Sequence, residues 1–227
     1  MRYYPIFLDL RGRPCAVVGG GPMAERKVKA LLRAGASVHV ISPSVTPRLA
    51  LLAARKKIQL TPRAYRTGDL EGPASSRADG PRGVRPTLVY AATDSPETQR
   101  AVRKDAEAIG ALVNAADNAR ASDFIVPASF AQGDLQVAIS TSGASPALAR
   151  RLRRQLQVTL GHEYRGYLRF LREARKQVMD TVPDEAQRTK IFRQLSKAPV
   201  MDWSWKGAPR RAAVDVKKWL AKVVGTE

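Results

Sequence analysis

The stretch Cys15-Ala16-Val17-Val18-Gly19-Gly20-Gly21-Pro22-Met23-Ala24 decides how this chain is read. Four apolar residues make a short buried strand, and the G-x-G-x-x-A pattern then opens a segment, Met23–Ala34, with helical periodicity. Strand, glycine turn and helix in that order are the setting in which the pattern binds a dinucleotide. Gly19 permits the tight turn, Gly20 continues it, Gly21 lets the backbone approach a pyrophosphate, and Ala24 lets the helix pack closely on the strand. The helix start at Pro22 and Met23 offers free amides and the positive end of a dipole to phosphate. The plainer alternative is a turn with a structural task only.

Outward from this turn, short β-rich runs alternate with helical patterns. Strands are expected at Cys15–Val18, Ser37–Ile41, Ile58–Thr61, Thr87–Ala92 and Ala111–Asn114, with helices at Met23–Ala34, Pro47–Lys56 and Pro96–Ile109. Alternation of this kind implies an α/β fold, a Rossmann-like parallel sheet with helices on both faces. Thr46-Pro47, Ser95-Pro96 and Ser145-Pro146 each pair an N-cap hydroxyl with a residue that has no amide hydrogen to leave unbonded. Gly72–Pro86 has no periodicity and reads as a surface loop. A further strand is expected at Leu135–Thr141, after a turn at Gln132-Gly133-Asp134. From Ser145 the pattern is helical, with Tyr164, Tyr167, Leu168 and Leu171 at helical spacing. The division expected is a nucleotide-binding domain over 1–113, a dimerisation and substrate segment over 114–150, and a small basic helical domain over 151–227.

The 227 residues carry a net charge of +19, divided as +9 over residues 1–150 and +10 over 151–227. A field of this sign favours a polyanionic partner. No basic block with interleaved aromatics appears, so a small substrate with many carboxylates fits better than a specific nucleic acid. No apolar run is long enough to cross a bilayer, and the start lacks a signal-peptide pattern. The single cysteine, Cys15, excludes an intrachain disulfide and suits a reducing compartment, so a cytoplasmic location is expected and Cys15 reads as a packed thiol. His39 and His162 are too isolated for a metal site.

The second strand ends Val40-Ile41-Ser42-Pro43, where dinucleotide-binding folds usually place an acidic residue on the ribose hydroxyls. Ser42 can hydrogen-bond a ribose with less discrimination, and Arg26 and Lys27 can favour the additional phosphate of NADP. Asp94 follows the fourth strand, at the edge where open α/β sheets bind ligands; its other reading is a cap for the helix at Pro96.

Several segments together resemble the NAD-dependent precorrin-2 dehydrogenase family of siroheme synthesis. They are Tyr4–Leu10, Val18–Gly21 with Ala24, Arg26 and Lys27, Ala91-Ala92-Thr93-Asp94, Leu112-Val113-Asn114, Asp117, Asp123–Ala128 and Ile139–Arg150. The resemblance implies oxidation of precorrin-2 to sirohydrochlorin with NAD as cofactor, and a homodimer built through the segment after the first domain. Family members with an added iron-chelatase activity also exist. No tetrapyrrole methyltransferase domain follows, which implies a free-standing dehydrogenase. A reading from another class is a nucleotide-sensing, nucleic-acid-binding regulator.

On this resemblance Asp94 matches the family's functional aspartate, and Thr93 joins Gly19–Ala24, Ser42 and Pro43 as cofactor contacts. Asn114 is either a contact to the nicotinamide or substrate ring, or a structural turn. Asp117 and Asp123 are expected to bond their own backbone. Ser140, Ser142, Gly143 and Ser145 form a hydroxyl- and glycine-rich helix start suited to carboxylates. Of the arginines that follow, Arg150 and Arg154 share a helix face and are the pair expected on substrate carboxylates; the alternative is a solvated basic face.

Overall fold

The computed structural model describes residues 3–71, 85–115 and 121–196. Two compact units divide between Val126 and Pro127. The expected loop at Gly72–Pro86 and the position of Asp117 lie almost wholly or wholly outside the described residues.

In the first unit the chain runs β1 (Pro14–Val18), α1 (Pro22–Arg33), β2 (Ser37–Ile41), α2 (Pro47–Ala54), β3 (Gln59–Thr61), β4 (Leu88–Ala91), α3 (Pro96–Ile109) and β5 (Leu112–Ala115). All five strands are parallel, in the order β3-β2-β1-β4-β5. Because β2 and β4 flank β1, the chain leaves the first strand in both directions. The strand order therefore reverses beside β1, which is where a doubly wound sheet opens a crevice at its C-terminal edge.

Alternation along β1 sorts the two cores. Cys15 and Val17 face α1 and α2, packing with Ala24, Val28, Leu31 and Leu49. Ala16 and Val18 face the other way, onto Val102 and Ala106 of α3. Helices thus cover both faces, and a central strand buried on both sides must be apolar throughout. Cys15 is such a residue: burial pushes its thiol up from the ordinary value, as expected of packed and unreactive sulfur.

Three of the helices begin as the hydroxyl-proline pairs foretell. Thr46, Ser95 and Ser145 each accept from a backbone amide three residues on. α2 stops at Ala54, two residues short of expectation, because Lys56 turns into the left-handed region at φ 54° and the Lys57 amide bonds back to Leu52.

The second unit holds a hairpin, β6 (Ala128–Gln132) and β7 (Leu135–Ile139), then α4 (Pro146–Thr159), α5 (Glu163–Thr181) and α6 (Glu185–Leu195). β6 has no counterpart in the sequence reading, since Ala-Ser-Phe-Ala-Gln offers one large inward residue, Phe130. β7 ends two residues early, as Ser140 and Thr141 leave the ladder to bond the loop ahead. Tyr167, Phe170, Ala174 and Val178 of α5 form a core with Ile191 and Leu195 of α6. Val182-Pro183-Asp184 separates the two helices, with Asp184 as cap.

The approach to α3 is held by a buried carboxylate. Asp105 accepts from the Tyr65 hydroxyl at 2.6 Å and from the Gly68 amide at 2.8 Å, and burial with this charge pushes the Tyr65 phenol far up. Asp105→Ala strands both donors and is expected to cost about 1–3 kcal/mol in urea unfolding. An unchanged midpoint excludes the anchoring role.

Candidate nucleotide-binding site

The glycine turn sits where β1 meets the switch point. The Val18 carbonyl accepts from the Ala92 amide and the Gly19 amide donates to the Ile41 carbonyl, so the ladders continue on both sides into the turn. Gly19 then adopts φ 123°, and a Cβ on it would stand 2.0 Å from the Ala92 carbonyl oxygen. Gly20 is equally confined, with a Cβ position 2.0 Å from the Ser44 oxygen and 2.8 Å from Ser42 Oγ. At Gly21 a Cβ meets nothing within 4 Å. The first two glycines are therefore demanded by packing, while the third opens onto space. Ala24 is fully buried against β1, and Pro22 starts α1 without costing an amide bond. No side chain caps the N-terminus of α1, which fits a dinucleotide pyrophosphate.

Ser42, read in the sequence as a ribose contact, also has a task within its own loop. It is buried, and its hydroxyl donates to the Ser44 carbonyl at 2.7 Å. Pro43 is exposed beside it. The loop is fastened to the glycine turn by contacts that sequence reading missed: the Thr46 amide donates to the Gly20 carbonyl, and the Thr46 hydroxyl donates to Glu25 at 2.7 Å. Thr46-Pro47 signalled the cap but carried no trace of its partner.

Lys27 lies away from the end of β2. Its ammonium stands 4.9 Å over the Tyr90 ring and 3.4 Å from Asn114 Oδ1, on the β4–β5 side of β1. Burial pushes the Tyr90 hydroxyl up to about 12. Asn114 also donates through Nδ2 to the Phe124 carbonyl, and Phe124 meets Tyr90 edge-on. Both ends of the Asn114 amide thus join β5 to its surroundings. Asp123 bonds the Val113 amide of β5 and pairs with Arg103, rather than its own backbone. His39 donates to or accepts from Thr61, packed between β2 and β3 as a structural residue.

Thr93 and Asp94 follow β4 directly against the turn. Asp94 is exposed and makes no hydrogen bond or ion pair among the described residues. The cap of α3 is Ser95, whose hydroxyl accepts from the Thr98 amide at 3.2 Å. The capping alternative for Asp94 is thereby removed.

In the second unit, Ser142 and Gly143 both take positive φ, 53° and 90°. The Ser140 hydroxyl accepts from the Ser142 amide, Thr141 accepts from Ser145, and Ser145 caps α4. Arg150 and Arg154 are exposed, one turn apart, without partners among the described residues. No group of three metal-ligating side chains occurs among the described residues, and no described helix is long and apolar enough to cross a membrane.

A doubly wound parallel sheet with a sterically obligatory glycine turn at its switch point defines a Rossmann-type nucleotide-binding protein. The chain belongs to the family described as "Putative NAD(P)-binding", whose model matches residues 6–128, more than half of it. A second model, "Sirohaem biosynthesis protein central", matches residues 132–158, from the hairpin into α4.

Among curated relatives, the siroheme synthase of Chromobacterium violaceum is 38% identical over 221 residues, 97% of this chain and 44% of that protein. That of Methylobacillus flagellatus is 38% identical over 192 residues, covering 85% and 38%. The chain thus spans less than half the length of these relatives. The solved structure of SirC, precorrin-2 dehydrogenase, superposes with a TM-score of 0.70 at 24% identity, covering 98% of this chain and all of that one. At that identity the likeness establishes a shared fold.

The glycine geometry separates binding from folding. Gly21→Asp is expected to fold with wild-type melting temperature and to lose NAD binding in calorimetry, because its side chain projects into open space where a pyrophosphate must approach. Gly20→Ala is expected to lower the melting temperature. Undiminished NAD affinity in folded Gly21→Asp overturns the assignment of this turn.

Proposed function

We propose that the chain oxidises precorrin-2 to sirohydrochlorin, with NAD bound at the glycine turn and accepting the hydride. The observation that carries the reading is the pairing of two matches in one chain, a nucleotide-binding family over residues 6–128 and a sirohaem-biosynthesis family over residues 132–158. Similarity to siroheme synthases over nearly the whole chain supports it.

On this reading the turn from Gly19 to Ala24 holds the pyrophosphate, and the Ser42–Pro43 and Thr93 edges flank the cofactor. NAD is the cofactor on this reading, and Lys27, turned to the β4–β5 side, is removed as one of the two cations that could favour the additional phosphate of NADP. Asp94 serves as the carboxylate that accepts a proton or orients the macrocycle. Its exposure and lack of partners leave it available at the carboxyl edge of the sheet. Asn114 borders the same edge.

A tetrapyrrole with several carboxylates is drawn by a protein of net charge +19. Arg150 and Arg154, with the Ser140, Ser142, Gly143 and Ser145 turn, supply its contacts in the second unit. A homodimer through residues 114–150 and a cytoplasmic location complete the reading.

The test is NADH formation from precorrin-2 without iron. Asp94→Asn is expected to keep NAD affinity and lose turnover by about a hundredfold. Asp117→Asn is the control. If Asp94→Asn turns over at the wild-type rate while Asp117→Asn does not, the carboxylate role belongs to the second residue. A wild-type protein that forms no NADH with precorrin-2 removes the dehydrogenase reading itself.

A further inference from the structure

The loop after β4 is held from two sides. On one, the Ala92 carbonyl abuts Gly19 so closely that no Cβ fits between them, and the Thr93 amide nitrogen lies 3.4 Å from the same position. On the other, the Gln99 side chain reaches back from α3 and donates through Nε2 to the Thr93 carbonyl at 2.7 Å. The Ser95 amide adds a longer bond to the Thr93 hydroxyl, at 3.3 Å. Gln99 is already anchored, since its own amide donates to the Ser95 carbonyl in the first turn of the helix.

A trans peptide points its carbonyl and its N–H in opposite directions, and no peptide among the described residues is cis. Fixing the Thr93 oxygen toward α3 therefore turns the Asp94 N–H away from that helix. Asp94 uses neither this donor nor its carboxylate for the fold, as it makes no hydrogen bond or ion pair among the described residues. An unpartnered peptide donor on an exposed residue is thus presented beside the glycine turn by a side chain that itself stays behind.

We infer that Gln99 is a positioning residue of the nucleotide site, orienting the Thr93–Asp94 peptide so that its N–H faces bound dinucleotide. This rests on the reading that the glycine turn holds the cofactor, and goes further by naming what aims the opposite wall. Without the bond the Thr93–Asp94 peptide is free to rotate, and the donor loses its direction.

The experiment is calorimetric NAD titration of the full chain as wild type, Gln99→Met and Gln99→Glu, with melting temperatures. Gln99→Met preserves length and removes the donor; NAD affinity is expected to fall about tenfold, the worth of one well-placed hydrogen bond. Gln99→Glu opposes a carboxylate to a carbonyl oxygen at pH 8 and is expected to bind at least as weakly as the Met variant. Near pH 5 the carboxyl facing that oxygen takes up a proton, donates again, and returns affinity toward the wild-type value at the same pH.

The charged residues near this position along the chain are Asp94 on the loop, and Glu97, Arg100 and Arg103 on α3. Arg103 is paired with Glu107 and Asp123. Asp69 and Glu71, on the segment packed against α3, lie toward the Asp105 end.

A purely structural bond would lower melting temperature by about 2–4 °C and leave the affinity ratio untouched at every pH. Wild-type affinity in Gln99→Met, or a Gln99→Glu deficit that persists at pH 5, overturns the inference. Precorrin-2 turnover is assayed separately. Wild-type protein that binds NAD but does not oxidise precorrin-2 refutes the proposed reaction, and the Gln99 ratios still decide the positioning role.

Discussion

Clearance at two glycines governs the arrangement of the first unit. Ala92 of the strand-following loop and Ser44 of the β2–α2 loop press their carbonyl oxygens into the spaces where Gly19 and Gly20 would carry side chains. Any larger residue must push one of these loops off the turn. Three connections from three different strands thereby converge at one edge of the sheet, and that convergence makes the crevice. A side chain at Gly21 would disturb none of them.

The polar side chains near this edge fasten loops to one another. Ser42 closes its own turn, Thr46 reaches Glu25 on α1, Gln99 holds Thr93, and Asn114 joins Phe124. Each such bond contributes about 1 kcal/mol net, small beside the apolar burial around Val17, Val40 and Val89. Their effect is to choose one conformation among loops that the core alone leaves free. Loops of fixed shape on a rigid sheet are the usual means of holding a ligand.

Much of this was legible in the sequence, because buried parallel strands and amphipathic helices repeat a signal over several residues. The strand Cys15–Val18 and its glycine turn could be read directly, and Ser95-Pro96 located the start of α3. β6 escaped because only Phe130 in it carries a strong apolar signal. The side-chain pairs escaped for another reason. Tyr65 with Asp105, or Thr46 with Glu25, are single residues far apart in the chain, and no local pattern links them. Ser42 was legible as a hydroxyl where an acid is usual, but its burial and its bond to Ser44 depend on the path of the loop. At Asp94 the sequence left site and cap open, and the Ser95 hydroxyl on the Thr98 amide removes the cap.

The position of the lone cysteine makes β1 its own reporter. Cys15 sits in the middle strand of the sheet, 1% exposed, with neighbours in parallel register on both sides. A thiol reagent reaches that sulfur only when the strand between β2 and β4 is uncovered, an opening that removes the glycine turn as well. The rate of thiol modification therefore measures how often the nucleotide-binding half comes apart, without any engineered label.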